Sequence, residues 1–337
     1  MRALVCDAPG QLRLATRPDP VAGPGEVLVR IRHVGICGTD FHIFAGKHPF
    51  LDYPRVMGHE LSGTVETAPP GSGLAPGDAV YVVPYIACRR CAACRRGLSN
   101  ACMAIAVLGV HTDGGMADLV AVPAANVVPT GDILLIDAAM IEFLAIGAHG
   151  IRRGAVTAGD RVLVTGAGPI GIAAVLFARA RGAEVTVMDT RADRLAFAAD
   201  TLGASATVDA ASPGAEAALA GLTGGDGFDV VVDATGAAPP IERGFGFLAH
   251  GGRYVLLSVV RDRISFSDPE FHKREATLLA SRNALPEDFA EVVRQMRAGR
   301  IPTAALNTHR GPLDDAVGLF QAWSRPEAGV IKAILDL

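Results

Sequence analysis

The sequence of 337 residues lacks several features that mark particular protein classes. Basic charge is not in excess: the net charge is −4, so nothing indicates a nucleic-acid partner or a membrane surface. The N-terminus, MRALVCDAPGQLRLA, lacks the apolar stretch of a signal peptide. There is no internal repeat and no low-complexity tail. We therefore expect a cytoplasmic globular protein with a small-molecule substrate.

A membrane-spanning run is also missing. The longest uncharged stretch, 162–178, is long enough to raise the question. It contains GAGPIG, however, and its apolar residues divide into a short strand and a short helix, so we expect no membrane span. Half of the residues are hydrophobic and 20% are charged, which at this length predicts two domains with sizeable cores.

The pattern of apolar and turn-forming residues changes near residue 150. Before it, short β-branched runs such as EVLVRIRHV, GTVETA, DAVYVVP and MADLVAVPA alternate with turn signals, which predicts a β-rich, barrel-like domain. After it, strand and helix patterns alternate, with helices expected over 169–181 and 241–248, in PEDFAEVVRQMRAGRIP and in PLDDAVGLFQAWSR. That alternation predicts parallel βαβ units, and the end GVIKAILDL predicts a closing strand. The expected fold class is α/β.

A glycine turn follows the first strand of this second region. Gly166, Gly168 and Gly171 form GxGxxG between the strand RVLVT and a helix, and Pro169 and Ile170 complete the turn. Glycines at these positions allow a tight turn and let a pyrophosphate approach the N–H groups of the helix. The turn in this context predicts a dinucleotide site.

Asp189 ends the next strand, 18 residues after Gly171. A carboxylate there can accept hydrogen bonds from both hydroxyls of the adenosine ribose and would repel a 2′-phosphate. It therefore favours NAD over NADP. Arg191 and Arg194 follow and could soften this preference, and we include Arg194 among the candidate cofactor-binding residues.

Four cysteines crowd one short segment with the spacing C-x2-C-x2-C-x7-C: Cys88, Cys91, Cys94 and Cys102. Disulfides are disfavoured in a reducing compartment, and a ferredoxin-type run would have a last gap of about three followed by proline. Four thiolates close a tetrahedral shell around Zn²⁺ and leave no place for substrate, so we predict a structural zinc. Two pairs of arginines in the segment either offset the charge of this site or only solvate the loop.

A second group of metal-ligand types is spread over the first 142 residues. Cysteine, histidine and carboxylate side chains form the donor set that a catalytic zinc accepts while keeping one position open. A Lewis-acid zinc would make a substrate hydroxyl more acidic. The Thr39 hydroxyl, and His42 acting through the cofactor ribose, would pass the proton to solvent. The candidate catalytic residues are Cys37, Thr39, His42, His59, Glu60 and Glu142.

In these motifs the chain resembles the zinc-dependent medium-chain dehydrogenases of the alcohol dehydrogenase superfamily. GICGTDFH, GHE, the four cysteines, GAGPIG and Asp189 occur in the order typical of the family, and the resemblance covers essentially the whole chain. It implies a GroES-like catalytic domain of residues 1–148, completed by 283–337, around a Rossmann NAD-binding domain of residues 149–282. It also implies one catalytic and one structural Zn²⁺ per chain, NAD as cofactor, and a homodimer or homotetramer.

The catalytic zinc ligands resemble those of the sorbitol and threonine dehydrogenase branch. Glu60 directly follows His59 as in that branch, whereas Glu142 lies where alcohol dehydrogenases have a second cysteine ligand. Either glutamate could complete the zinc shell, or the two could alternate with water. The branch usually has proline after this second glutamate, and here it is Phe143, which indicates a different local backbone or pocket wall.

GKHPFLDYPRVMGHE, AVLGVHTDGGM and LLASRNA resemble the sugar-acid branch, the L-galactonate and L-gulonate 5-dehydrogenases. Arg282 matches an arginine that borders the substrate in sorbitol dehydrogenases, and an arginine fork suits a carboxylate. Lys47 and His48 are further candidates for substrate binding. We predict hydride transfer from a secondary alcohol of a sugar acid or polyol to NAD. Two alternatives stay open: an L-threonine 3-dehydrogenase and a non-catalytic sensor that binds NAD and zinc.

Overall fold

The computed structural model describes residues 1–48 and 51–337, and it divides into two compact units. The first unit comprises Met1–Glu142 and Thr303–Leu337, and the second comprises Phe143–Pro302. These bounds are not those of the predicted domains, 1–148 with 283–337 and 149–282, which stay predictions. Pro49 and Phe50 of the GKHPF motif lie outside the described residues.

The first unit is rich in strands, as its β-branched runs predict. In chain order its elements are β1 Arg2–Ala8, β2 Gln11–Thr16, β3 Glu26–Ile36, α1 Gly38–Phe44, β4 Arg55–Val56, β5 Glu60–Thr67, β6 Ala79–Val82, β7 Tyr85–Ile86, α2 Ala92–Arg95, β8 Ala106–Val107, β9 Leu119–Pro123, β10 Val127–Pro129, α3 Leu135–Ala138 and the start of α4 Ile141–Arg153.

The longest strand, β3, organises this unit. It pairs antiparallel with β5 and β9, and the C-terminal segment of the chain adds a strand on its other side. Alternate residues of EVLVRIRHVGI are buried over most of its length, as expected for a strand with one face on a core. Because β3 ends at Ile36, the chain turns into α1 directly beside the start of β5.

The C-terminal segment completes the same sheet. Its elements are α11 Thr303–Leu306, β17 Asn307–Pro312, α12 Ala316–Trp323 and β18 Lys332–Asp336. The sheet order is β10-β6-β5-β3-β18-β17, so the predicted closing strand is confirmed as β18 next to β3. On α12, the Phe320 ring packs against Phe41 and Phe44 with centroids 5.4 and 6.0 Å apart, which holds α1 in place.

The second unit alternates strands and helices. Its elements after α4 are β11 Arg161–Thr165, α5 Pro169–Ala180, β12 Glu184–Asp189, α6 Ala192–Asp200, β13 Ala206–Asp209, α7 Ala215–Leu222, β14 Phe228–Asp233, α8 Ala238–Gly244, β15 Leu248–Leu256, α9 Asp268–Lys273, β16 Thr277–Ala280 and α10 Pro286–Arg297.

Its strands form one parallel sheet in the order β13-β12-β11-β14-β15-β16. This is the doubly wound order in which ligands bind outside the carboxyl ends of the strands, where the order reverses. Val162, Val164, Val230 and Val232 of β11 and β14 have no exposed surface, which explains why these strands read as continuous apolar runs.

One predicted helix is misplaced. Residues 241–248 were expected to be helical, but α8 ends at Gly244, a 3-10 turn covers Phe245–Phe247, and β15 begins at Leu248. Proline in the first turn of α8 starts the helix earlier than the apolar pattern suggests. The helices expected over 169–181 and in PEDFAEVVRQMRAGRIP are confirmed as α5 and α10. Throughout residues 1–48 and 51–337, no helix has the length and apolar character needed to cross a membrane.

Candidate active site

Asp40 joins the two segments that carry the first predicted metal ligands. Its carboxylate is completely buried and accepts hydrogen bonds from the backbone N–H of Cys37, at 2.9 Å, and of Gly58, at 3.3 Å. Cys37 caps the N-terminus of α1, and Gly58 directly precedes His59. A short acidic side chain on α1 therefore sets the separation of the Cys37 and His59 backbones.

Glycines make room for the carboxylate of Glu60. Gly35 on β3 lies opposite Glu60 on β5, and a Cβ at Gly35 would overlap the Glu60 carboxylate. Gly58 has φ of +94°, a backbone conformation that favours glycine, and a Cβ there would meet Met116. The GHE motif thus needs its glycine for a turn that presents His59 and Glu60 on the same side as Cys37.

Cys37, His59 and Glu60 are brought together, with one ligand atom from each lying within 4.8 Å of the other two. Among the described residues, the buried His59 Nδ1 has no hydrogen-bond partner, and the nearest carboxylate oxygen, on Asp40, is 3.7 Å away. Burial alone would lower the pKa of His59, but Asp40, Cys37 and Glu142 raise it well above its usual value. A buried imidazole in a negative field, next to a thiol and a carboxylate, fits a bound zinc.

Glu142 lies at the edge of this site, in the first turn of α4. The Tyr85 hydroxyl donates a hydrogen bond to its carboxylate, and both side chains are buried. Burial raises the pKa of Glu142 to about 6, with His59 opposing the shift and Glu60 adding to it. Glu142 is therefore close to the cluster but is held by a different partner.

Lys332 on β18 places a buried ammonium against Glu60. Its ammonium is 1% exposed and donates to both carboxylate oxygens of Glu60, at 2.7 Å each, and to the Ile36 carbonyl at 3.1 Å. Burial works to lower the pKa of Lys332, but Glu60 and Cys37 raise it overall, so the side chain carries its charge.

The remaining candidates of the first unit lie on or just after α1. Thr39 is half-buried, His42 and Lys47 are exposed, and His48 is half-buried. The Lys47 backbone N–H donates to the His42 carbonyl at 2.8 Å, which closes the turn after α1. Their predicted parts in proton transfer and substrate binding stay predictions.

The four cysteines of the lobe also converge. One sulfur from each lies within 4.8 Å of the others, and all four are free thiols. The Cys91 sulfur is 3.5 Å from that of Cys94 and 4.0 Å from that of Cys102. Four sulfurs about 2.3 Å from a tetrahedral zinc would be about 3.8 Å apart, so the geometry fits the metal. Backbone N–H groups of Cys94 and Met103 lower the pKa of Cys91 to about 6, which favours the thiolate.

The glycine turn of the second unit has the backbone geometry of a nucleotide-binding turn. Gly166 has φ of +90°, and a Cβ there would press on the backbone of Ala234 and Thr235. A Cβ at Gly171 would overlap the Gly166 carbonyl, whereas one at Gly168 would meet nothing within 4 Å. The open space at Gly168, at the N-terminus of α5, is where a pyrophosphate would approach.

Asp189 is tied to that turn. One carboxylate oxygen accepts from the Ala167 N–H at 2.6 Å and the other from the Arg191 N–H at 2.8 Å. Each oxygen retains a lone pair for a ribose hydroxyl. Arg194 on α6 is 7% exposed, and its burial, together with Arg191, lowers its pKa. Arg282, the predicted substrate residue of this unit, follows β16 and is exposed.

Three residues at the candidate metal site were not among its predicted members, and two of them, Asp40 and Lys332, are marked in the sequence. Asp40 lies within the CGTD motif itself. Lys332 is a single lysine inside the apolar run GVIKAILDL, and a lysine in such a strand is rarely buried without a partner. Tyr85 precedes the cysteine lobe with no periodicity that marks it, and only the chain's tertiary path brings it to Glu142.

Comparison with known proteins places this site in a family. The alcohol dehydrogenase GroES-like domain family matches residues 23–132, and the zinc-binding dehydrogenase family matches residues 169–298. The chain belongs to the zinc-binding alcohol dehydrogenases, which confirms the resemblance and the predicted class of enzyme and fold.

Several individual proteins are similar to this chain over most of its length. The chain is 43% identical over 315 residues to L-galactonate-5-dehydrogenase of Escherichia coli K12, covering 93% of this chain and 92% of that protein. It is 31% identical to L-threonine 3-dehydrogenase of Pyrococcus abyssi over 86% of this chain and 85% of that one. A short chain alcohol dehydrogenase from E. coli CFT073, solved with the cofactor NADH, superposes with a TM-score of 0.94 at 28% identity, covering 100% and 99% of the two chains.

Proposed function

We propose that the protein is an NAD-dependent zinc dehydrogenase that oxidises a secondary alcohol of a sugar acid of the L-galactonate or L-gulonate type, or of a related polyol. The observation that carries the proposal is the cluster of half-buried Cys37 with buried His59 and Glu60 in a member of a dehydrogenase family. Identity of 43% over nearly the full length to an L-galactonate-5-dehydrogenase supports the substrate class.

In this proposal Cys37, His59 and one of Glu60 and Glu142 hold the catalytic zinc, and Cys88, Cys91, Cys94 and Cys102 hold the structural zinc. When bound, the catalytic zinc would supply Lewis acidity at the substrate hydroxyl, and NAD would be the hydride acceptor. Asp40 keeps the Cys37 and His59 backbones at a constant separation. The Thr39 hydroxyl would accept the proton of the substrate hydroxyl while giving its own to the cofactor ribose, and His42 would take the proton from the ribose and release it to solvent.

NAD would be held at the turn formed by Gly166, Gly168, Pro169, Ile170 and Gly171. The N–H groups at the N-terminus of α5 would meet its pyrophosphate, and Asp189 would accept hydrogen bonds from the ribose hydroxyls. Asp189 supports NAD over NADP because its charge would repel a 2′-phosphate. Burial lowers the pKa of Arg194, and the nearby Asp189 charge opposes that shift, so Arg194 is a further candidate to contact the adenosine ribose.

The substrate carboxylate is bound by Arg282, with Lys47 and His48 as further contacts. A carboxylate-binding role also suits L-threonine, and 31% identity to an L-threonine 3-dehydrogenase supports that second candidate. A non-catalytic NAD- and zinc-binding sensor would not need Thr39 and His42 beside the metal site.

We further propose the GroES-like and Rossmann domains with the predicted boundaries, assembly as a homodimer or homotetramer, and a cytoplasmic location. The six free cysteines support a reducing compartment, where thiols persist and bind metal.

A substrate panel tests the proposal directly. The purified enzyme is assayed with L-gulonate, L-galactonate, sorbitol, galactitol and L-threonine, each with NAD and then NADP. Turnover of L-galactonate or L-gulonate with NAD is expected to exceed that of the other substrates. Turnover of L-threonine alone would overturn the sugar-acid assignment, and binding of NAD without turnover of any alcohol would favour the sensor.

A further inference from the structure

Two glutamates border the candidate catalytic site, and each is held by a different buried partner. Glu60 faces the ammonium of Lys332, and Glu142 accepts the hydrogen bond of the Tyr85 hydroxyl. All four side chains are at most 8% exposed. The partner that holds each carboxylate therefore limits where that carboxylate can reach.

The two carboxylates are not equivalent in position. Within residues 1–48 and 51–337, the ligand atoms that converge are those of Cys37, His59 and Glu60, and Glu142 is not in that set. The hydroxyl that holds Glu142 is itself well anchored. Tyr85 on β7 pairs with Val107 on β8, and the Asn126 side chain donates to the Tyr85 carbonyl at 3.1 Å.

The number of protein ligands decides what a zinc site can do. Three protein ligands leave one tetrahedral position for water or substrate, whereas four close the shell, as in a structural site. With Cys37, His59 and Glu60 already converging, Glu142 would be a fourth ligand. We propose that Tyr85 is a positioning residue that holds Glu142 out of the metal's coordination shell and so keeps one position open.

This inference rests on the proposed function, because it concerns the same catalytic zinc. It assigns a role to a side chain that is not itself one of the candidate zinc ligands. Removing only the Tyr85 hydroxyl would leave Glu142 free to approach the metal, while the ring would still fill its buried place.

The test uses the full-length protein loaded with Co²⁺, whose visible absorption reports the number and kind of ligands. The spectrum of Cys37→Ser, which retains the four-cysteine lobe, is subtracted so that the catalytic site alone is seen. Imidazole, which needs a vacant position on the metal, is then titrated into the parent, Tyr85→Phe and Tyr85→Phe/Glu142→Gln proteins. Tyr53→Phe is the matched control, since the Tyr53 hydroxyl donates to the backbone carbonyl of Ile43 in the same unit.

We expect Tyr85→Phe to change the difference spectrum and to bind imidazole roughly tenfold more weakly, the scale on which residues that hold metal ligands alter metal sites. The added Glu142→Gln substitution should restore the parent spectrum and imidazole affinity, and Tyr53→Phe should match the parent. An unchanged Tyr85→Phe spectrum would overturn the inference, as would a change that Glu142→Gln fails to reverse. Loss of Co²⁺ from Tyr85→Phe would also overturn it, because Tyr85 would then be supporting Glu142 as a ligand.

Failure of the proposed function is visible separately. If Cys37→Ser binds as many Co²⁺ ions per chain as the parent, the catalytic metal site itself is wrong, and the role of Tyr85 falls with it. If Cys37→Ser binds one ion fewer and Tyr85→Phe still matches the parent, only the role of Tyr85 is wrong.

Discussion

The Lys332 ammonium lies 2.7 Å from both carboxylate oxygens of Glu60, and neither side chain is more than 1% exposed. The pair joins β18, from the C-terminal segment, to the first residue of β5. Two charges so deeply buried are tolerated because each neutralises the other and Lys332 also donates to the Ile36 carbonyl.

Replacing Lys332 should therefore destabilise the protein strongly. We expect Lys332→Met to lower the free energy of unfolding by about 3–5 kcal/mol, because the buried Glu60 carboxylate loses the cation that donates to both of its oxygens. Urea denaturation of the zinc-loaded protein measures the free energy of unfolding. Lys332→Met/Glu60→Gln should recover part of the loss, and an unchanged urea midpoint for Lys332→Met would show that the ion pair does not stabilise the fold.

Cys37→Ser should abolish turnover and leave NAD binding largely intact, because Cys37 lies in the metal cluster while the glycine turn belongs to the other unit. Steady-state rates and NAD binding by fluorescence titration measure the two properties. Cys6→Ala is the control: this buried thiol on β1 lies outside both cysteine-containing clusters, and burial raises its pKa to about 11. Normal activity in Cys37→Ser would remove the catalytic-zinc assignment.

Asp189 should control the choice of dinucleotide. Asp189→Ala is expected to weaken NAD and to relax discrimination against NADP, but it also removes the acceptor for the Ala167 N–H. Asp189→Asn keeps an acceptor and loses the charge, so it isolates the electrostatic effect. We expect the KM for NAD to rise about tenfold in the alanine variant, the scale of one hydrogen bond to a charged group. Kinetics equal to the parent with both cofactors would refute the assignment.

Asp288 should make the stability of the second unit depend on acid pH. Its buried carboxylate accepts from the Arg152 guanidinium at 2.6 Å, from the Leu285 N–H at 2.8 Å, and lies 2.7 Å from His149 Nδ1. Burial opposes ionisation, but the hydrogen bonds from His149 and Arg152 lower the pKa of Asp288 to about 2 from 3.8. The unfolded chain therefore binds a proton more readily than the folded one.

The difference between the pKa of Asp288 in the folded and the unfolded chain contributes about 2 kcal/mol to the free energy of unfolding. This contribution is fully present above about pH 5 and is lost as the pH falls from about 4 to 2. Asp288→Asn should reduce the free energy of unfolding by about this amount at pH 6, and the gap to the parent should narrow below pH 4. Chemical denaturation at a series of pH values measures it, with the exposed Asp262→Asn as control. A gap that stays constant from pH 6 to pH 3 would contradict the assigned pKa.

Local sequence was sufficient for the features that depend on spacing along the chain. The doubly wound α/β unit followed from the alternation of buried strands and helices, and GAGPIG marked the turn at Gly166. The convergence of the four cysteines was predictable from the sequence, because residues within a span of fifteen can meet in a single loop. The family followed from these motifs in their order, and the comparisons confirm it. The helix expected over 241–248 was placed wrongly, because the apolar pattern near residue 245 suits either a helix or the start of a buried strand.

The sequence by itself determined the family, the two-part organisation and which residue types are available to bind metal. It left Glu60 and Glu142 as equal candidates, since both carboxylates have the same chemistry. Only the tertiary structure gave the two carboxylates different surroundings, by placing Lys332 against Glu60 and Tyr85 against Glu142 across 272 and 57 residues of chain. The position of each carboxylate depends on the buried donor to which it is hydrogen-bonded. Those donors lie on strands far away in the sequence, and a local sequence pattern does not show which strands come together.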